Sequence, residues 1–174
     1  MTAENIVPET ISRVIDVGSL EETGARHVLE PTQTELAAIA RRLGIPAVNK
    51  LRGEFELTPT HAGADVILRL DAETVRTCVA SLEPMLETIR EEIRMSFDRN
   101  YVEDDAEDFS EDDVLREPLL GGEIDIGELL VQHLSLLLDP YPRKTDAESL
   151  AGKFRDATLL SPFSSLKGLV DRES

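Results

Sequence analysis

Asn49-Lys50-Leu51-Arg52-Gly53-Glu54-Phe55-Glu56-Leu57-Thr58 is the stretch on which the fold turns. Leu51, Gly53, Phe55 and Leu57 alternate with Lys50, Arg52, Glu54 and Glu56, a period of two that marks a strand wet on one side. Pro59 to Gly63 follows as a turn. Val66, Leu68 and Leu70 then begin a second alternating run, and Val75, Thr77 and Val79 resume it after Asp71 to Thr74. Two or three antiparallel strands are therefore expected. Ser81 to Pro84 breaks the pattern again, and Met85 to Phe97 reads two ways. Leu86, Ile89, Ile93 and Phe97 fit a helical stripe, whereas Ile89, Ile93, Met95 and Phe97 fit one face of a strand. The Glu and Arg content suits a helix, but the position after a turn suits a hairpin partner, and we assign a strand. The expected sheet is an antiparallel meander from about Asn49 to Phe97.

Outward from the sheet, helix signals appear on both sides. Thr32 with Glu35 three residues later forms a capping box, and Gly44 followed by Pro46 ends a helix whose buried stripe is Leu36, Ala37, Ile39, Ala40 and Leu43. Arg41 and Arg42 occupy its last turn, where cations complement the helix dipole. Downstream, Asp125 caps a second helix with Glu128 at its third position. Ile126, Leu129, Leu130, His133, Leu134, Leu137 and Leu138 then recur at the spacing of one helical face, until Pro140 and Pro142 stop it. Ser161-Pro162 precedes Phe163, Leu166, Leu169 and Val170, which make one short docking helix. The fold class is α+β, an antiparallel meander flanked by two main helices. It is read as a single domain over residues 1–174 with its core at about 30–142 and a more loosely ordered segment at 143–174.

Between sheet and second helix the composition changes. The chain has 35 acidic and 18 basic residues, net charge −17, and residues 98–128 alone hold 13 acidic and two basic side chains. Asp98 to Glu117 has too few apolar residues to offset the entropy of ordering, so a mobile acidic loop is expected, reaching to about residue 122. Such a charge repels a phosphate backbone overall and attracts basic partners. Cys78 is the single cysteine and cannot close an internal disulfide. The N-terminus has no apolar run of the secretory kind, and no stretch approaches the roughly 20 apolar residues of a membrane span. A cytoplasmic protein without a membrane partner is the expectation.

The inventory for catalysis is thin. His27 reads as a loop residue, His61 lies in a turn, and His133 falls on an apolar helix stripe, where packing is the commoner role. A thiol-dependent enzyme would need Cys78 beside His133, and no pattern joins them. Asp104, Asp105, Glu107 and Asp108 lack the alternating ligands and central glycine of a calcium loop, and neither a phosphate-binding loop nor paired C-x-x-C motifs occur. We expect no cofactor, no metal and no catalytic residue. For nucleic acid, the best local candidates are Arg41 and Arg42 with the Lys50 and Arg52 strand face, joined by Arg76. Aromatic platforms are scarce, with aromatics at 4% and no Trp.

Val75-Arg76-Thr77-Cys78-Val79-Ala80-Ser81-Leu82-Glu83-Pro84 resembles the C-x-R-C-L-x-P segment of the YceD family, the large ribosomal RNA subunit accumulation proteins. Gly122 to Leu129 with Pro140-Tyr141-Pro142 is similar to the family's I-D-L helix and its proline-rich exit, and Ser161-Pro162-Phe163-Ser164-Ser165-Leu166 to its C-terminal P-F-x-x-L signature. The landmarks Cys78, Leu82, Pro84, Asp125, Pro162 and Phe163 stand in family order around an acidic insert, over roughly residues 50 to 170. Ser81 stands where the motif has its second cysteine, and Arg143 and Lys144 where many members carry later ones, so the metal site of cysteine-rich members is not expected. The resemblance implies a non-catalytic factor assisting large-subunit assembly, needed for 23S ribosomal RNA accumulation or processing. Its partner would be ribosomal RNA or an assembly intermediate; an acidic chaperone for a basic ribosomal protein is the alternative.

Overall fold

The computed structural model describes residues 11–101 and 114–145. In chain order its elements are β1 (Val14–Asp16), a 3-10 turn (Val17–Ser19), β2 (Ala25–Leu29), α1 (Gln33–Leu43), β3 (Ala47–Pro59), β4 (Gly63–Thr77), β5 (Pro84–Asp98), β6 (Leu115–Pro118), β7 (Glu123–Asp125) and α2 (Ile126–Leu137). The main sheet runs β2-β3-β4-β5-β6, antiparallel throughout except for the parallel β5–β6 pair, while β1 and β7 form a separate antiparallel ladder. The α+β class and the two flanking helices are as the sequence implies.

Period-two patterning builds the meander. Leu51, Phe55 and Leu57 of β3, Val66, Leu68, Leu70 and Ala72 of β4, and Ile89, Met95 and Phe97 of β5 are all buried on one face. β4 is one uninterrupted strand where two were expected, because Asp71 and Glu73 do not break the alternation. They face outward between Leu70, Ala72 and Thr74, all of which are buried. The ambiguous Met85–Phe97 run is a strand, paired along its whole length with β4.

The helices pack on the apolar face. Thr32 caps α1 by accepting from the Glu35 amide, and the Glu35 carboxylate in turn accepts from the Thr32 amide at 2.8 Å. Gly44 closes the helix in the left-handed region at φ 65°, which a side chain would disfavour. Ala37, expected in the buried stripe, is exposed, and Ala38 is buried in its place. α2 lies close over β3: a Cβ on Gly53 would sit 2.8 Å from the Leu130 Cδ1, so the absence of a side chain sets the helix–sheet spacing. Leu130, Val131 and Leu134 are buried here, each contributing about 1.5–3 kcal/mol by leaving water.

Three further expectations are revised. His27 is not in a loop but in β2, opposite Phe55. The core extends N-terminal to residue 30, since Ile11, Val17 and Leu29 are buried. Asp98 ends β5, and Leu115 to Glu117 pair with it as β6, so both ends of the segment expected as an acidic loop are strand; residues 102–113 lie outside the described residues. The docking helix expected at Phe163 to Val170 also lies outside them.

Candidate partner-binding face

Each cation proposed for a phosphate contact has a defined place. Lys50 and Arg52 project from the outer face of β3, opposite to the apolar face on which α1 and α2 pack. Lys50 Nζ donates to Asp71 Oδ2 at 2.6 Å, and Arg52 pairs with Glu30 at 3.0 Å and Glu54 at 2.7 Å. Arg41 and Arg42 end α1, on the other side of the sheet. Arg42 reaches across to α2, where its Nη1 donates to Glu128 Oε2 at 2.7 Å and a second bond joins the same two groups. This bond from the guanidinium holds the Glu128 carboxyl below its usual pKa, against the opposing effect of burial.

Arg76 is a structural residue. It faces inward at the open end of the meander, pairs with Glu87 at 2.9 Å and donates to the Asp139 carbonyl at 2.8 Å, while the Asp139 amide donates back to Glu87. The clamp ties the exit of α2 to β4 and β5. Its two side chains are 11% and 17% exposed, too enclosed to serve a polyanion. The five basic residues thus fall into three separate places. Four hold carboxylate partners, and only for Arg41 is no ion pair found among the described residues.

The outer face as a whole is a lattice of alternating charge. Arg69 joins Glu56 and Glu92 at 2.9 and 3.0 Å, Arg26 pairs with Glu56, and Arg90 lies 3.9 Å from Asp71. A trough of about 660 Å3 crosses this face, lined by Lys50, Arg52, Arg69 and Arg90 and equally by Glu54, Asp71, Glu91 and Glu92. Opposite charges at this spacing offset one another, so the trough offers no net field to an RNA backbone.

The family-motif positions cluster at structural joints. Cys78 sits in the β4–β5 connection with its thiol buried. The Ser81 hydroxyl, the amides of Lys144 (3.5 Å), Ser81 and Ala80 all point at the sulfur and lower its pKa to about 6, outweighing burial. Ser81, standing where the motif has a second cysteine, is thus a hydrogen-bond donor to the first. Leu82 adopts φ 60° and is 65% exposed, and Pro84 starts β5. Asp125 caps α2: burial opposes its charge, but Ser12, the Arg13 amide and the Glu128 and Gly127 amides outweigh it and hold its pKa low. Pro162 and Phe163 lie outside the described residues.

Cys78 and His133, the two residues a thiol-dependent enzyme would need side by side, lie at different places along the sheet. Cys78 follows Thr77, which pairs with Pro84, whereas His133 Nε2 lies 3.1 Å from Met95 Sδ, eleven residues further along β5. Among the described residues no three His, Cys, Asp or Glu side chains are placed to hold a metal ion, and no helix is long and apolar enough to cross a membrane. Fold and surface together define an acidic α+β protein with a charge-paired outer face. No family model, curated protein or solved structure matches the chain.

Proposed function

We propose that this protein is a YceD-like, non-catalytic accessory factor in assembly of the large ribosomal subunit, and that it acts by holding a basic protein partner. The assembly role rests on the ordered motif resemblance around Cys78, Asp125 and Phe163. The observation that carries the mechanism is the pairing of Arg42, Lys50, Arg52 and Arg76 with carboxylates of the chain itself. A direct phosphate grip would have to break those pairs, in a molecule of net charge −17. A basic partner meets no such obstacle, and its arrival is accelerated by the acidic surplus.

Loss of such a factor leaves 23S ribosomal RNA under-accumulated or unprocessed. Gradient profiles of cells depleted of the protein test this: a deficit of large subunits with 23S precursors supports the reading, and unchanged subunit and rRNA profiles reject it. Direct RNA binding remains distinguishable. RNA captured with the protein after protein partners are stripped at moderate salt would replace the chaperone mechanism with a phosphate contact.

A further inference from the structure

β5 has a long open edge. It pairs with β4 from Pro84 to Asp98 without a bulge, whereas β6 lies along its other side only at Met95–Asp98. Beside residues 84–94 no second strand stands among the described residues, and no backbone bond from outside the β4 ladder reaches them. At about 3.3 Å per residue this edge is about 36 Å long, and alternate residues turn both backbone groups away from β4. An edge of that length invites another strand unless its side chains exclude it.

Those side chains are selective. Glu87, Ile89 and Glu91 stand opposite Thr74, Ala72 and Leu70, all buried, so Met85, Glu87, Ile89, Glu91 and Ile93 share the apolar face. Arg76 holds Glu87. Glu91 is exposed and has no hydrogen bond or ion pair among the described residues. A second copy fits this row poorly. Antiparallel pairing of two free edges centres on Ile89 and sets Glu87 opposite Glu91 of the second copy, twice. A slip of two residues either way sets each carboxylate opposite Ile or Met, and a slip of one turns the apolar face outward. A cation opposite Glu91, with apolar residues two positions away on each side, satisfies both the charge and the face. Resting on the basic-partner reading above, we propose that residues 84–94 of β5 bind an extended segment of a basic protein as an added strand. A Lys or Arg of that segment pairs with Glu91, and its apolar neighbours lie against Ile89 and Ile93.

The probe is the peptide Thr-Val-Thr-Lys-Thr-Val-Thr-Thr-Thr-Val-Thr, which laid antiparallel sets its Lys opposite Glu91 and Val opposite Ile93, Ile89 and Met85. Titrated against the full chain by fluorescence anisotropy, it should bind Glu91→Lys about tenfold more weakly than wild type, and Glu91→Gln with a smaller loss. With Glu in place of Lys, the peptide should prefer Glu91→Lys. Glu123→Lys changes the net charge equally in the separate β1–β7 ladder and should alter affinity by less than about twofold. N-methylation of alternate peptide amides should abolish binding in one frame and spare it in the other, as a one-sided ladder requires. Alternate amides of residues 86–94 should exchange rapidly in the free protein and about tenfold more slowly with peptide bound. No binding at millimolar peptide, equal affinity for wild type and Glu91→Lys, tolerance of both methylated frames, or edge amides all slow in the free protein would each overturn the proposal. So would a dimer that the peptide dissociates, which would give the edge to a second copy. Because the probe is synthetic, each result stands whether or not depleted cells show a subunit deficit, so the edge and the assembly role fail separately.

Discussion

Leu134→Ala is the perturbation that most sharply tests how α2 holds the sheet. Leu134 is fully buried, in the same cluster as Phe55, Leu68, Met95 and Leu130. Truncation removes three carbons, worth about 2.4 kcal/mol at about 0.8 kcal/mol per buried methylene. The cavity adds a cost of about 24 cal/mol per Å3 that does not collapse. The site is closed by the sheet on one side and by α2 on the other, so relaxation is restricted and the expected loss is about 4 kcal/mol. Leu136, two residues further along α2 and 71% exposed, is the internal control, with an expected change within about 0.5 kcal/mol. Urea unfolding of both variants measures this. The midpoint of Leu134→Ala should fall with its slope unchanged. A loss below about 1 kcal/mol for Leu134→Ala, or equal losses for both variants, would refute the packing of α2 described above.

Three further outcomes follow from buried groups. The Cys78 thiol is lowered to about 6 in the fold from an ordinary 9.0; a depressed acid stabilises once deprotonated, so wild type should gain stability over Cys78→Ala as pH rises from 6 to 9. Urea melts whose difference is constant across that range would contradict it. His133 has its pKa lowered by burial, with Glu117 opposing, so the fold keeps it neutral while the unfolded chain takes up a proton below about pH 6.5. Stability should fall as pH drops through that value, and His133→Phe should reduce this loss, read from thermal melts at pH 5 and 7. Arg76→Leu leaves Glu87 half-buried without its cation and should cost about 1–3 kcal/mol, whereas Arg41→Leu should leave global stability unchanged in the same urea titration.

Much of the framework was legible because its signals are local. The capping box of Thr32 and Glu35, the Asp125 cap and the alternation from Leu51 to Leu57 each declare an element within a few residues. β2 escaped notice because two of its inward positions are Ala25 and His27, which carry little hydrophobic contrast. β1 and β7 are three residues each and exist through their pairing with one another across more than 100 positions. β6 is a short segment beside an acidic cluster, and its parallel alignment with Met95 to Asp98 is a tertiary fact. The charge pairs were hidden for the same reason. Arg42 and Glu128 are 86 residues apart, and no periodicity reveals that four of the five candidate phosphate-binding cations are already engaged. The nest around Cys78 depends on Lys144, brought in only by the exit of the chain after α2.

The central claim, that a basic protein and not RNA is the primary partner, turns on the sign of one change. Residues 102–113 carry eight acidic and no basic side chains, and they can be replaced by a Gly/Ser linker of equal length without touching β5 or β6. The partner captured from lysate by the wild-type protein is purified and titrated against both forms at low and moderate salt. The account predicts a basic protein that binds the replaced form more weakly, with a flatter salt dependence, at a melting temperature almost unchanged. Captured RNA that binds the replaced form more tightly would contradict it, because removing repulsion favours a phosphate contact.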